Sequence, residues 1–136
     1  MNSDFTLAVH SLTLLSFLQD HMSSSDTIAE SASVHPVRIR KVLSLMRRHG
    51  WVTAREGQGG GFILTVNPSE VTLGDIYKLT SEGALQPKCP EQNEQCVVGA
   101  NMKSVLHSIF TDAEVHLGQF LSEFTIEDVV NLVKQK

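Results

Sequence analysis

Four of the nine glycines stand within five residues, at Gly57, Gly59, Gly60 and Gly61. The runs on either side, Trp51–Arg55 and Phe62–Val66, are rich in residues that suit a pleated strand. Glycines between two strands make a hairpin tip. The rival is a phosphate-cradling loop, which leads from a strand into a helix and often carries a Lys and a Ser or Thr. Here the loop runs from strand to strand and holds neither, which sets nucleotide binding aside. The residues before the hairpin narrow the fold further. Pro36 to His49 spaces Ile39, Val42, Leu43 and Met46 along one apolar helix face. Proline sits in the first turn, where its missing N–H loses no partner, and Gly50 tolerates the turn out. Upstream, Ser23-Ser24-Ser25-Asp26 offers caps for a short helix over Thr27–Ser31, with Ile28 and Ala29 inward. A short helix, a tight link, a second helix and a hairpin together spell a winged helix-turn-helix.

Charge matters here by its placement. The chain carries 11 Lys and Arg against 15 Asp and Glu, a formal −4. Yet Arg38, Arg40, Lys41, Arg47, Arg48 and Arg55 all fall between 38 and 55, a span without an acid. A basic stripe on an acidic body suits a polyanion; the plainer alternative is a solvated helix face. With 136 residues, 41% of them hydrophobic, there is apolar material for one core and no run long enough for a membrane span. Two cysteines are too few for a disulfide-framed scaffold. Without a basic leader or small-residue cleavage site, the expectation is a cytoplasmic protein with reduced thiols.

The flanks read as helices. Phe5, Ala8, Leu12, Leu15 and Leu18 predict an amphipathic helix from Asp4 to about His21. Thr72 and Asp75 predict a capped helix to about Ser81, with Leu73, Ile76 and Leu79 inward. Glu82 to Val98 holds Gly83, Pro87, Pro90 and both cysteines, a loop longer than a connector needs. From Gly99 to about Phe124 a near-heptad stripe, Met102, Val105 or Leu106, Ile109, Ala113, Leu117, Phe120 and Phe124, predicts a helix of roughly 38 Å. That outreaches so small a core and marks a dimerisation helix, the alternative being a helix packed only on its own subunit. Thr125 then caps a last short helix with Ile126, Val129, Val130, Leu132 and Val133. The expected fold is mainly α with a small β-hairpin. Its parts are a winged helix-turn-helix domain over 1–67, a linking helix and cysteine loop over 68–98, and the long dimerisation helix with a C-terminal helix over 99–136.

Pro36 to Val52, the hairpin from Arg55 to Leu64, and Val71 to Ile76 together resemble the Rrf2 family of bacterial winged-helix transcription regulators. The similarity covers nearly the whole chain, through the Cys96-Val97-Val98-Gly99 approach to the long helix. The resemblance implies a homodimer whose long helices cross and set two winged helices on a palindromic operator in double-stranded DNA. Val37, Arg38, Arg40 and Lys41 then occupy the reading surface, and Arg55, Gln58 and Gly59 the wing tip at the minor groove. Arg38 and Arg40 suit bidentate contact with guanine, whereas Lys41, Arg47 and Arg48 suit phosphates. Relatives often carry Arg just before the first wing glycine, where this chain has Glu56. Repression is the default expectation, since nothing resembles a separate activation surface. Trp51 and Phe62 read as hairpin core rather than base-stacking groups.

Several members of that family hold an iron–sulfur cluster through three cysteines in this loop. Two cysteines fall short of that set, and His107, eleven residues past Cys96, lies too far along the helix to complete it. Zinc is disfavoured by the six residues between Cys89 and Cys96. No metal or cofactor is therefore expected. Cys96 stands just before the long helix, whose dipole favours thiolate, and Cys89 lies between Lys88 and Pro90, close enough in sequence for the sulfurs to meet. One reading is a redox or electrophile switch at Cys89 and Cys96; the other is inert thiols with a different effector or none. No catalytic constellation appears, so an enzyme is not expected. The alternative to a DNA-binding regulator is a winged-helix adaptor controlled by a partner protein or small metabolite, with no thiol sensing.

Overall fold

The computed structural model describes residues 2–136. Its elements are α1 (Ser3–Phe17), β1 (Met22–Ser23), α2 (Ser25–Ala32), α3 (Pro36–Arg48), β2 (Val52–Arg55), β3 (Gly61–Leu64), α4 (Leu73–Ser81), α5 (Val97–Leu121) and α6 (Ile126–Lys134). Among these residues no helix is long and apolar enough to cross a membrane.

α1 is the hub. It buries Leu7, Ala8, Ser11, Leu12 and Leu15, and α2, α3, α4 and α6 all pack on it. The four apolar positions expected inward on α3, Ile39, Val42, Leu43 and Met46, are fully buried in the same cluster. So are Ile126 and Val130 of α6. α6 packs on α1, and α5 has no buried residue of its own.

Caps decide where helices begin. The Ser24 hydroxyl accepts the Thr27 N–H, starting α2 two residues ahead of expectation. His35 Nδ1 accepts the Val37 N–H at 3.1 Å, and Pro36 fills the first turn of α3. Thr72 with Asp75 and Thr125 with Asp128 form reciprocal capping boxes that start α4 and α6. α5 begins at Val97 rather than Gly99 and ends at Leu121 rather than Phe124.

The sheet has three strands, in the order β1-β3-β2, all antiparallel. β1 corrects the expected helix to His21: α1 stops at Phe17, Leu18 is extended (φ −70°, ψ 142°), and Met22–Ser23 pair with β3. Helix continuation would leave the β3 edge open, whereas the strand pairs that edge and the His21 carbonyl accepts the Leu64 N–H. Gly61 permits this approach, because a Cβ there would lie 2.5 Å from the Ser23 carbonyl oxygen. α5 meets the body along α4. Gly74 permits a close approach there, because a Cβ would meet Ser122 Oγ and stand 2.9 Å from the Gly118 carbonyl oxygen.

Candidate nucleic-acid interface and cysteine loop

With Ile39, Val42, Leu43 and Met46 turned inward, the opposite face of a 3.6-residue helix carries Val37, Lys41, Ser44 and Arg48, all exposed. Arg38 lies on one flank of that face, and Arg40 and Arg47 lie on the other. The guanidinium of Arg38 donates to Ser3 Oγ at the start of α1. Arg40 stands 3.9 Å from Asp26 of α2, and Lys41 Nζ lies 3.1 Å from Asp4. Such surface pairs are worth about 1 kcal/mol at most, so a phosphate or base edge can replace them. Among the described residues Arg47, Arg48 and Arg55 have no carboxylate partner.

The hairpin follows α3 in the chain and contacts it through β2. Strand alternation turns Val52 and Ala54 inward and leaves Thr53 and Arg55 exposed. Arg55 pairs in register with Gly61, and Glu56, Gln58 and Gly59 are exposed at the tip. Trp51 and Phe62 are half-buried against the core, as hairpin packing requires.

Both cysteines are free thiols, Cys89 half-buried and Cys96 exposed. Cys96 is the N-cap residue of α5. Hydrogen bonding from the Gly99 backbone, and next from Val98, holds its thiol below the usual cysteine range. The loop is strapped to α5 near its start. Gly83 N–H donates to the Glu114 carboxylate, and Gln86 Nε2 donates to Thr111 Oγ1 at 3.2 Å and to the His107 carbonyl at 3.4 Å. Sequence reasoning did not find Ser3, Asp4, Asp26 or Glu114, because each meets its partner across a long stretch of chain and has no spacing signal.

Of the stripe expected on α5, Met102, Ile109, Ala113 and Phe120 are exposed, while Leu106 and Leu117 are half-buried by their own chain. Val98 and Val105 are exposed too. They complete the series Val98, Met102, Val105 and Ile109 at alternating four- and three-residue steps. A groove of about 500 Å³ lies between α1 and α6, walled mainly by Phe5, Val9, Leu14, Phe17, Val129 and Val133.

The chain matches the Rrf2 family, described as an iron-dependent transcriptional regulator, over residues 1–132. It is 28% identical over 132 residues to YwnA of Bacillus subtilis, described as an HTH-type transcriptional regulator; the alignment covers 96% of this chain and 97% of that protein. A crystal structure of a transcriptional regulator from Lactobacillus plantarum is 30% identical with a TM-score of 0.85, covering 98% of this chain and 91% of that one. CymR, the global cysteine regulator of B. subtilis, shares the fold at 18% identity, with a TM-score of 0.66 over 97% of this chain and 96% of its own. The family description implies iron, and the residues do not fit an iron site. The loop offers two thiols, and among the described residues no three His, Cys, Asp or Glu side chains gather where they could hold a metal ion.

Proposed function

The chain belongs to the Rrf2 family of transcriptional regulators, and from that premise we propose that it is a cytoplasmic, dimeric, sequence-specific DNA-binding repressor whose affinity for a palindromic operator responds to oxidation or alkylation of Cys96 and Cys89. The observation that carries DNA binding is the exposed face of α3, where five cations surround Val37 and Ser44 without an acid on the helix. Val37, Arg38 and Arg40 sit early enough on α3 to meet base edges. Lys41, Arg47, Arg48 and Arg55 supply phosphate contacts, and the exposed Gln58 and Gly59 offer a side-chain and a backbone donor to the minor groove. No part of this reading requires catalysis.

The support for a dimer is apolar. α5 exposes Val98, Met102, Val105, Ile109, Ala113 and Phe120 with nothing in its own chain to cover them. α1 carries a single acid and no Lys or Arg, and with α6 it walls the apolar groove lined by Phe5, Val9, Leu14, Phe17, Val129 and Val133. A second copy meeting both surfaces through a two-fold axis would bury them together.

Salt tests the DNA reading. If each protomer sets three cations on phosphates, a dimer makes six such contacts, and affinity for a duplex enriched from a random pool should fall about 10³-fold between about 50 and about 200 mM salt. A flat response would remove these phosphate contacts, and failure to enrich any duplex would remove DNA binding and leave the adaptor.

Thiol sensing has its own test. One peroxide molecule oxidises the two thiols to a disulfide and leaves as two waters, taking both thiol protons. Because Cys96 is exposed and its pKa is lowered, iodoacetamide at neutral pH should label it ahead of the half-buried Cys89, as read by mass spectrometry. Cys96→Ser should abolish any peroxide effect on DNA affinity. An unaltered response in the Cys89→Ser/Cys96→Ser protein would remove the switch.

A further inference from the structure

One carboxylate oxygen joins three segments of the chain. Glu114 Oε1 on α5 accepts a hydrogen bond from the Tyr77 hydroxyl of α4 at 2.9 Å, and another from the Gly83 N–H where the cysteine loop begins. No cation shares this carboxylate: the ion pairs among the described residues are Arg40–Asp26 and Lys41–Asp4. Its charge is held by two neutral donors, and bonds to a charged acceptor are the stronger kind. Burial, then the hydrogen bond and charge of Glu114, and lastly the charge of Glu82, push Tyr77 up to about 12. Its hydroxyl therefore stays a donor throughout the physiological range.

Each donor continues into a different part of the molecule. Gly83 lies just past the end of α4 with φ +85°, so the bond to its N–H sets the direction in which the loop leaves α4. Gln86 adds a second strap at Thr111 before the chain reaches Cys89. On the other side, the buried Tyr77 ring meets Phe5 of α1 edge-on, with centroids 6.2 Å apart. Phe5 directly follows Ser3 and Asp4, the two residues that hold Arg38 and Lys41 of α3. Few contacts make up this route, and each is a discrete bond or ring contact that is either made or broken.

We propose that Glu114 is a positioning residue that ties the cysteine loop to the DNA-reading helix. Its acceptor oxygen keeps the first turn of α1, and with it Arg38 and Lys41, in register with the loop. This deepens the DNA-binding reading given above and rests on it.

The full-length protein tests the tie with two probes, the duplex that the wild type enriches from a random pool and a duplex of scrambled sequence. Glu114→Ala and Tyr77→Phe should each weaken the enriched duplex about tenfold and the scrambled duplex several-fold less, the size expected for residues that couple sites without touching ligand. Glu114→Gln keeps an acceptor oxygen and should stay within about threefold of wild type. The double variant should be no weaker than Glu114→Ala alone, since both substitutions break the Tyr77–Glu114 bond. Wild-type affinity in Glu114→Ala and Tyr77→Phe would overturn the proposal, and so would equal losses on both duplexes. Hydrogen exchange reads the tie without DNA: Glu114→Ala should speed exchange over 83–92 and also in the first turns of α1 and α3. A change confined to the loop would overturn the tie whether or not the protein reads DNA. Failure of the wild type to enrich any duplex would overturn the DNA-binding reading while exchange still decides the tie.

Discussion

Replacing Arg38 and Arg40 together by alanine should abolish retention of the enriched duplex, lowering affinity by about 10²-fold or more, while the protein remains folded and dimeric. A good bidentate contact to a base is worth about 1–3 kcal/mol of discrimination, and a two-fold symmetric dimer removes each contact twice. The two arginines flank α3 on opposite sides of the line Val37, Lys41, Ser44 and Arg48. A helix seated in the major groove by that line would set one guanidinium on each side of it, over neighbouring base edges. The single variants then separate reading from positioning. A base-reading arginine relaxes specificity at one position when removed, whereas a phosphate-binding one weakens all sequences alike and lowers the salt slope by about one. Folding should be little affected, because Ser3 and Asp26, the partners of these arginines within the protein, lie on the surface, and pairs of this kind contribute about 1 kcal/mol or less. Electrophoretic retention, sedimentation and thermal melting together check the prediction. Wild-type retention in the double variant would mean that α3 is not the reading helix.

The winged helix was legible because its signals are local. Ile39, Val42, Leu43 and Met46 share a helix face by spacing alone, and all four are fully buried. Thr72 with Asp75 needs only three residues to declare a helix start. Placement of Arg38 and Arg40 on opposite flanks also follows from spacing, since residues two apart on a helix do not share a face. β1 was not legible: two residues cannot display a period, and the strand exists because β3 offers it an edge. The apolar face of α6 announces a packing surface without naming what it meets, and Ile126 and Val130 meet α1's core rather than α5. Glu114 carried no signal at all. Its partners Tyr77 and Gly83 lie 37 and 31 residues away, and only folding brings them to one oxygen.

Val105→Asp with Ile109→Asp should convert the protein to a monomer at about 10 µM, raising the dimer dissociation constant by more than about 10³-fold. Both residues are more than half exposed in the single chain, at 53% and 56%. Burying one such side chain at an interface is worth about 1.5–3 kcal/mol. An aspartate in its place forfeits that gain and adds the cost of removing an unpaired carboxylate from water. Under two-fold symmetry the double variant sets four carboxylates into one interface. Loss of the dimer should in turn collapse operator affinity, because a lone winged helix reaches one half-site and makes half the phosphate contacts. The single-chain fold supplies the control. α5 contributes no buried residue to the core, so helix content and melting of the monomer should persist. Leu106→Asp should behave differently, since Leu106 is half-buried against its own chain and its loss should lower the melting temperature as well. If the Val105→Asp/Ile109→Asp protein sediments as the wild type does, the interface does not run along this stripe, and the crossing of the long helices must be abandoned.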